Sequence, residues 1–294
     1  MVFLMRTLRV FMLLLLLVLG GCTSLVFQPW TGQDFDPSKV NLVYHDVFFR
    51  SEDGVMLHGW FLPAQGTPHG TVLFLHGNAQ NISEHLASVY WLPPRGYNVF
   101  LFDYRGYGVS DGSPTLAGVH ADARAALAKV FNMEDVDPGR VVVLGQSLGA
   151  AIAITALADS PYRDKVRGLV ADSSFTSLRA ITREKLAHFW LTWPLQWPLS
   201  FTVSDALRPI DAIPEIHVPV LIVGGEDDPV VPFHHSQELF AKANQPKTFW
   251  AIPGIPHIGT FALPEYRDKL VAWLDGVMPA SAPNPVNVGN ISQH

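Results

Sequence analysis

A serine hydroxyl, a carboxylate and an imidazole, each in a loop after an apolar run, are the side chains of this sequence best placed to do chemistry together. The serine is Ser147, in Gly145-Gln146-Ser147-Leu148-Gly149. The β-branched run Val141-Val142-Val143-Leu144 precedes it, and an alanine-rich stretch of good helix propensity, residues 150–158, follows. Strand, sharp turn, helix is the setting in which a strained turn lifts a serine Oγ above the end of a sheet. Gly145 and Gly149 leave space where the strand and helix backbones converge. The five-residue pattern alone is an ordinary βα turn; the strand before it and the helix after it are what predict a nucleophile.

A serine hydroxyl needs a general base, and the base needs an acid to orient it. In folds with this elbow the chain order is serine, acid, histidine. Residues 218–223 form an apolar run followed by Gly225-Glu226-Asp227-Asp228-Pro229, and residues 248–252 form another followed by Pro253-Gly254-Ile255-Pro256-His257. Asp228 is the expected acid. Asp227, one residue away, and Asp172, after an earlier strand, are the other carboxylates that spacing allows. His257 is one of twelve histidines and is set apart by its Gly/Pro-rich loop after the last strand. His234 and His235 open a helical pattern and read as surface or helix-start residues. Acyl transfer also needs N–H donors for an oxyanion. The backbone amide of Leu148 is one, and that of Asn78, in His76-Gly77-Asn78-Ala79, is the expected second.

These loops require a scaffold that brings strand ends together. From residue 70 onward, apolar runs at 71–75, 98–102, 141–144, 168–171, 218–223 and 248–252 alternate with helical patterns at 83–92, 117–131, 148–158, 235–243 and 264–274. Such alternation predicts an α/β fold with a mostly parallel sheet covered on both faces and a ligand site at the carboxyl ends of the strands. Residues 40–49 and 55–62, separated by Ser51-Glu52-Asp53-Gly54, predict a preceding antiparallel hairpin at the edge. Residues 173–214 break the alternation. They carry Phe189, Trp190, Trp193, Trp197 and Phe201 and read as a short cap insert forming an apolar roof.

With 294 residues, 48% of them hydrophobic, the chain can build one large core. A net charge of −6 and the lack of a long basic run leave nothing that points to nucleic acid. Cys22 is the one cysteine, so the rest of the chain has no disulfide, thiolate metal cluster or cysteine nucleophile. No metal or organic cofactor is expected. Residues 1–22 read as an export signal: Arg6 and Arg9, a ten-residue apolar run at 10–19, then Leu19-Gly20-Gly21-Cys22, which resembles a bacterial lipobox with Cys22 as the lipidated residue. An uncleaved N-terminal membrane helix is the alternative. Thr23 after the cysteine weakly favours the outer membrane for a lipoprotein facing the periplasm. Residues 23–39 read as linker, 40–277 as the catalytic domain and 278–294 as a disordered tail.

His76 to Ala79, Asp103-Tyr104-Arg105-Gly106-Tyr107-Gly108-Val109-Ser110, the serine elbow, Asp172 to Ser177 and Gly225 to Pro232 together resemble the ABHD-like serine hydrolases of the α/β-hydrolase superfamily, over about residues 40–274. The resemblance implies Ser147 as nucleophile, Asp228 as acid, His257 as base, the Asn78 and Leu148 amides as oxyanion hole, and His76 as a buried structural histidine. It implies an esterase or thioesterase acting on small-molecule or lipid acyl substrates. A serine peptidase of the same fold and a non-catalytic envelope lipoprotein are the competing readings. Gly254-Ile255-Pro256 departs from the glycine-rich run that often precedes the histidine in such proteins.

Overall fold

The computed structural model describes residues 26–279. Each predicted apolar run forms a strand: β1 His45–Arg50, β2 Met56–Leu62, β3 Gly70–Leu75, β4 Tyr97–Phe102, β5 Val141–Gln146, β6 Gly168–Asp172, β7 Val220–Gly225 and β8 Lys247–Ile252. They make one sheet in the order β8-β7-β6-β5-β3-β4-β2-β1. Strands β3 to β8 pair parallel. Strand β1 is antiparallel to β2, and β2 is antiparallel to β4. Only β1 of this hairpin is therefore an edge. β2 lies inside the sheet, which is why its last six residues are all buried.

The parallel strands are apolar throughout because both their faces are covered. Alternate residues feed two cores. Leu73, Phe100, Val143, Leu169 and Ile222 point to one, with α1 (Leu116–Phe131), α2 (Leu148–Ala158) and α4 (His234–Lys242) contributing Val119, Ile152 and Leu239. Val72, Leu101, Leu144, Val170 and Leu221 point to the other, which α5 (Pro264–Val277) closes with Leu270 and Leu274. Each such fully buried side chain stabilises the fold by about 1.5–3 kcal/mol. The cap helix α3 spans Leu178–His188. The helix predicted at 83–92 is shorter: one turn, Ile82–His85, passes into 3₁₀ turns at Leu86–Ser88 and Pro93–Arg95, where Pro93 and Pro94 cannot continue an α-helix.

Both ends of the domain extend past the boundaries that composition predicts. Residues 26–39, expected as linker, lie against the domain. Phe27 is buried, and Gln28–Pro29 pairs in parallel with Ala79–Gln80. At the other end Met278 is buried in the second core, and its carbonyl accepts from Arg140 Nη2. No helix among the described residues is long and apolar enough to cross a membrane. The expected signal, Cys22 and residues 280–294 of the expected tail lie outside the described residues.

Candidate active site

Sheet register decides what can meet. Gly145 is opposite Leu75, and Gln146 is opposite Asp172, so the loops after β3, β5 and β6 leave the sheet side by side. Ser147 sits at the tip of β5 with φ 55° and ψ −119°, a conformation that a non-glycine residue adopts only under strain. The strain is held by close packing. A Cβ on Gly149 would lie 2.2 Å from the Leu75 carbonyl oxygen, and one on Gly145 would lie 2.5 Å from the Gly149 carbonyl oxygen. The elbow therefore depends on both glycines.

Three predicted side chains converge. Ser147 Oγ is 2.9 Å from His257 Nε2, and His257 Nδ1 is 2.7 Å from Asp228 Oδ2. The other Asp228 oxygen, Oδ1, accepts from the Val230 and Val231 amides at 2.7 and 2.9 Å. Burial pushes the Asp228 carboxyl up, but the His257 ring and these two amides together outweigh burial and hold it below the usual carboxylate range. The alternative acids have other partners. Asp227 Oδ2 accepts from the Gly254 amide. Asp172 is wholly buried and accepts from Gln146 Nε2; burial raises its carboxyl to about 6.

Leu148 opens α2, where the first helical N–H groups have no partner within the helix. Leu148, Gly77, Asn78, Ser147 and His257 all line a single cavity of about 660 Å³. The two expected oxyanion residues thus share a wall with the serine. Asn78 is anchored by its side chain: Nδ2 donates to the Val26 carbonyl, while Oδ1 accepts from the Gln28 amide and the Tyr107 hydroxyl. Asp103, next to the Tyr104-to-Gly108 run, accepts the Ile82 amide, and the Tyr104 hydroxyl donates to the His76 carbonyl. The Asp103-to-Tyr107 motif thus braces the loop that carries Asn78. Val26 and Gln28 also line the cavity. A mostly polar, Pro/Gly-marked stretch concealed them, and the apolar pair Val26-Phe27 is the one signal within it.

The histidines sort by burial. His76 is fully buried and donates from Nδ1 to the Gly77 carbonyl; burial takes its pKa well below the usual value and keeps it neutral. His85, which no sequence pattern singles out, lines the cavity and donates from Nε2 to the Ala79 carbonyl. His235, expected at the surface or at a helix start, is the second residue of α4 and is 1% exposed. The Thr176 amide donates to its Nδ1, so the ring proton is on Nε2, 3.2 Å from Glu184 of α3. That contact fastens the cap helix to α4.

The expected aromatic roof is not what covers the serine. The cavity is closed by Leu178, Ile181 and Leu186 of α3, with Phe175 and Val231. Phe189, Trp190, Trp193, Trp197 and Phe201 are each more than half exposed and none lines the cavity. The helix ends at His188, and the proline-broken turns that follow, Trp193–Leu195 and Gln196–Ser200, hold the aromatics outside the cavity lining.

Comparison with known proteins agrees with this architecture. A family model described as alpha/beta hydrolase fold matches residues 70–201. YfhR of Escherichia coli is 33% identical over 249 residues, covering 82% of each chain. The alpha/beta hydrolase domain-containing protein WAV2 of Arabidopsis thaliana is 37% identical over 237 residues, covering 76% of each chain. Among solved structures, the esterase Pf2001 of Pyrococcus furiosus superposes with a TM-score of 0.70 at 25% identity, over 86% of this chain and 98% of that one.

Proposed function

From the premise that this chain belongs to the α/β-hydrolase family, we propose that it is a membrane-tethered serine hydrolase that cleaves carboxylic ester or thioester bonds through an acyl-enzyme. The observation that carries this reading is the continuous relay from Ser147 Oγ through His257 to Asp228, opening on an apolar cavity. His257 Nε2 takes the Ser147 proton as Oγ attacks the acyl carbon. The tetrahedral oxyanion is held by the Leu148 and Asn78 amides. Asp228 keeps the His257 proton on Nδ1 and stabilises the imidazolium. As the carbonyl re-forms, the bond to the alcohol or thiol breaks and His257 gives that leaving group its proton. Water, deprotonated by the same ring, then attacks the acyl-enzyme, and the carboxylic acid leaves while Ser147 regains its proton.

The wall of Leu178, Ile181, Leu186 and Phe175 suits an acyl chain, and the esterase superposition supports ester chemistry. Among the described residues no carboxylate lines the cavity, so a substrate amino terminus finds no counter-ion there; this disfavours a peptidase. Tethering rests on residues 1–22, with Cys22 lipidated and the domain facing the periplasm from the bacterial envelope, the outer membrane being favoured. The test is intact mass and peptide mapping after treatment with a fluorophosphonate. A single adduct on Ser147, absent from Ser147→Ala, is the expected result. An unlabelled, folded wild-type protein refutes the reading and leaves a binding scaffold.

A further inference from the structure

Among the described residues, the aromatic segment of the cap concentrates the exposed apolar side chains. Seven of the fourteen large, exposed hydrophobic side chains among the described residues fall within residues 189–201, with Trp190 at 78% exposure. Residues 189–203 contain no Asp, Glu, Lys or Arg, in a chain where charged residues make up 16%. A contiguous apolar surface of this kind on a folded protein marks an interaction site.

Its polar groups are equally distinctive. Thr192 Oγ1 donates to the Leu186 carbonyl, Gln196 Nε2 to the Trp193 carbonyl, Ser200 Oγ to the Trp197 carbonyl and Thr202 Oγ1 to the Leu199 carbonyl. Each of these side chains donates to a carbonyl within the cap. Such internal bonds lower the cost of taking the segment out of water. Cations flank the aromatics. The Arg183 guanidinium lies 4.5 Å from the Trp197 ring centre, and that of Arg179 lies 5.1 Å from the Phe201 ring centre. Arg179 also pairs with Asp205, while exposed tryptophan beside arginine is the composition of a protein surface at lipid headgroup level, where indole rings settle and arginines reach anionic phosphates.

The position fits the same partner. Helix α3 lines the cavity with Leu178, Ile181 and Leu186, and carries Arg179 and Arg183 against the aromatic ridge. Val26 lines the same cavity. Three residues lie between Cys22 and Val26, so the four Cα–Cα steps reach about 14 Å at full extension. A lipid on Cys22 would therefore hold the cavity side of the domain at the bilayer.

We infer that the ridge formed by Phe189, Trp190, Trp193, Trp197 and Phe201 inserts into the interface of an anionic phospholipid membrane and turns the cavity mouth toward the lipid. The orientation, though not the exposed ridge itself, rests on the tethering reading above. Substrate then reaches Ser147 from the bilayer rather than from bulk water.

The test uses the full chain on phosphatidylcholine–phosphatidylglycerol vesicles containing lipids brominated near the headgroup. Wild-type tryptophan emission is expected to be quenched. The Trp190→Ala/Trp193→Ala/Trp197→Ala variant is expected to lose most of that quenching while keeping its rate on a water-soluble ester. Its hydrolysis of a bilayer-resident ester should fall at least about tenfold, since a buried indole is worth that much in partitioning. The quenching readout does not depend on hydrolysis. Full chain that stays on the vesicles with unquenched emission refutes the insertion and leaves the tether standing. Loss of the triple variant from vesicles that retain wild type supports the insertion and refutes the tether. Unquenched emission together with a dimer that the triple variant dissolves assigns the ridge to a second copy and overturns the inference.

Discussion

Replacing Asp228 with Asn tests the relay at its most constrained atom. Asp228 Oδ1 accepts from two backbone amides, Val230 and Val231, at 2.7 and 2.9 Å. In Asp228→Asn only the amide oxygen can take that place, because an NH₂ group there would face two donors. The NH₂ must then occupy the position of Oδ2, 2.7 Å from His257 Nδ1. A donor facing Nδ1 forces the neutral ring to carry its proton on Nε2, the atom 2.9 Å from Ser147 Oγ. The base then presents a proton where it must accept one. Asp228 does not line the cavity, so the cost falls on kcat rather than KM. Inverting the tautomer costs about 10⁴-fold in rate, roughly 5 kcal/mol of transition-state stabilisation. The assay is steady-state hydrolysis of p-nitrophenyl esters, with a crystal structure or NMR of the variant confirming that the His257 ring stays in place. A variant that keeps about a tenth or more of wild-type kcat with that ring in place would falsify the tautomer argument.

Three further outcomes follow from the geometry. Gly149→Ala places a Cβ 2.2 Å from the Leu75 carbonyl oxygen and 2.3 Å from that of His76, both main-chain atoms, so thermal unfolding should show a loss of about 3 kcal/mol or more. Tyr107→Phe removes one of the two donors on Asn78 Oδ1 and leaves the Gln28 amide; kcat should fall about tenfold with KM nearly unchanged, and a raised KM with kcat unchanged would point to lost substrate binding instead. Burial pushes the His120 pKa down from 6.5 to about 4. The unfolded chain therefore binds a proton that the folded chain refuses, and stability present above pH 6.5 is lost as pH falls toward 4, by about 3 kcal/mol in all. Denaturant titrations across that window should be correspondingly flatter for His120→Gln, and parallel curves would remove His120 from the account.

The parallel core was legible because its strands are buried on both faces and so read as unbroken apolar runs, such as Val141 to Leu144. The relay was legible because each member follows a strand, and strand ends meet at one edge of the sheet. Spacing could not separate Asp227 from Asp228; only the fold shows that the first holds the Gly254 amide and the second faces His257. The placement of the cap aromatics is illegible in the sequence for a related reason. Composition reports that Trp190 and Trp193 are apolar, but not whether the turns at Pro194 and Pro198 set them in the cavity lining or on the open surface. Burial of His235 was hidden similarly, because its partners Thr176 and Glu184 lie 59 and 51 residues away, on the cap side of the site. Val26 and Gln28 were hidden by the polar stretch around them.

The docked amino-terminal arm has a practical consequence for handling the protein. A leader, tag or fusion partner can be exchanged only upstream of Val26. A version begun at residue 40, the boundary that composition recommends, keeps every strand of the sheet but deletes one wall of the pocket and the carbonyl and amide that hold Asn78. Such a protein would be expected to fold and to turn over slowly, and the shortfall would be misread as a poor choice of substrate.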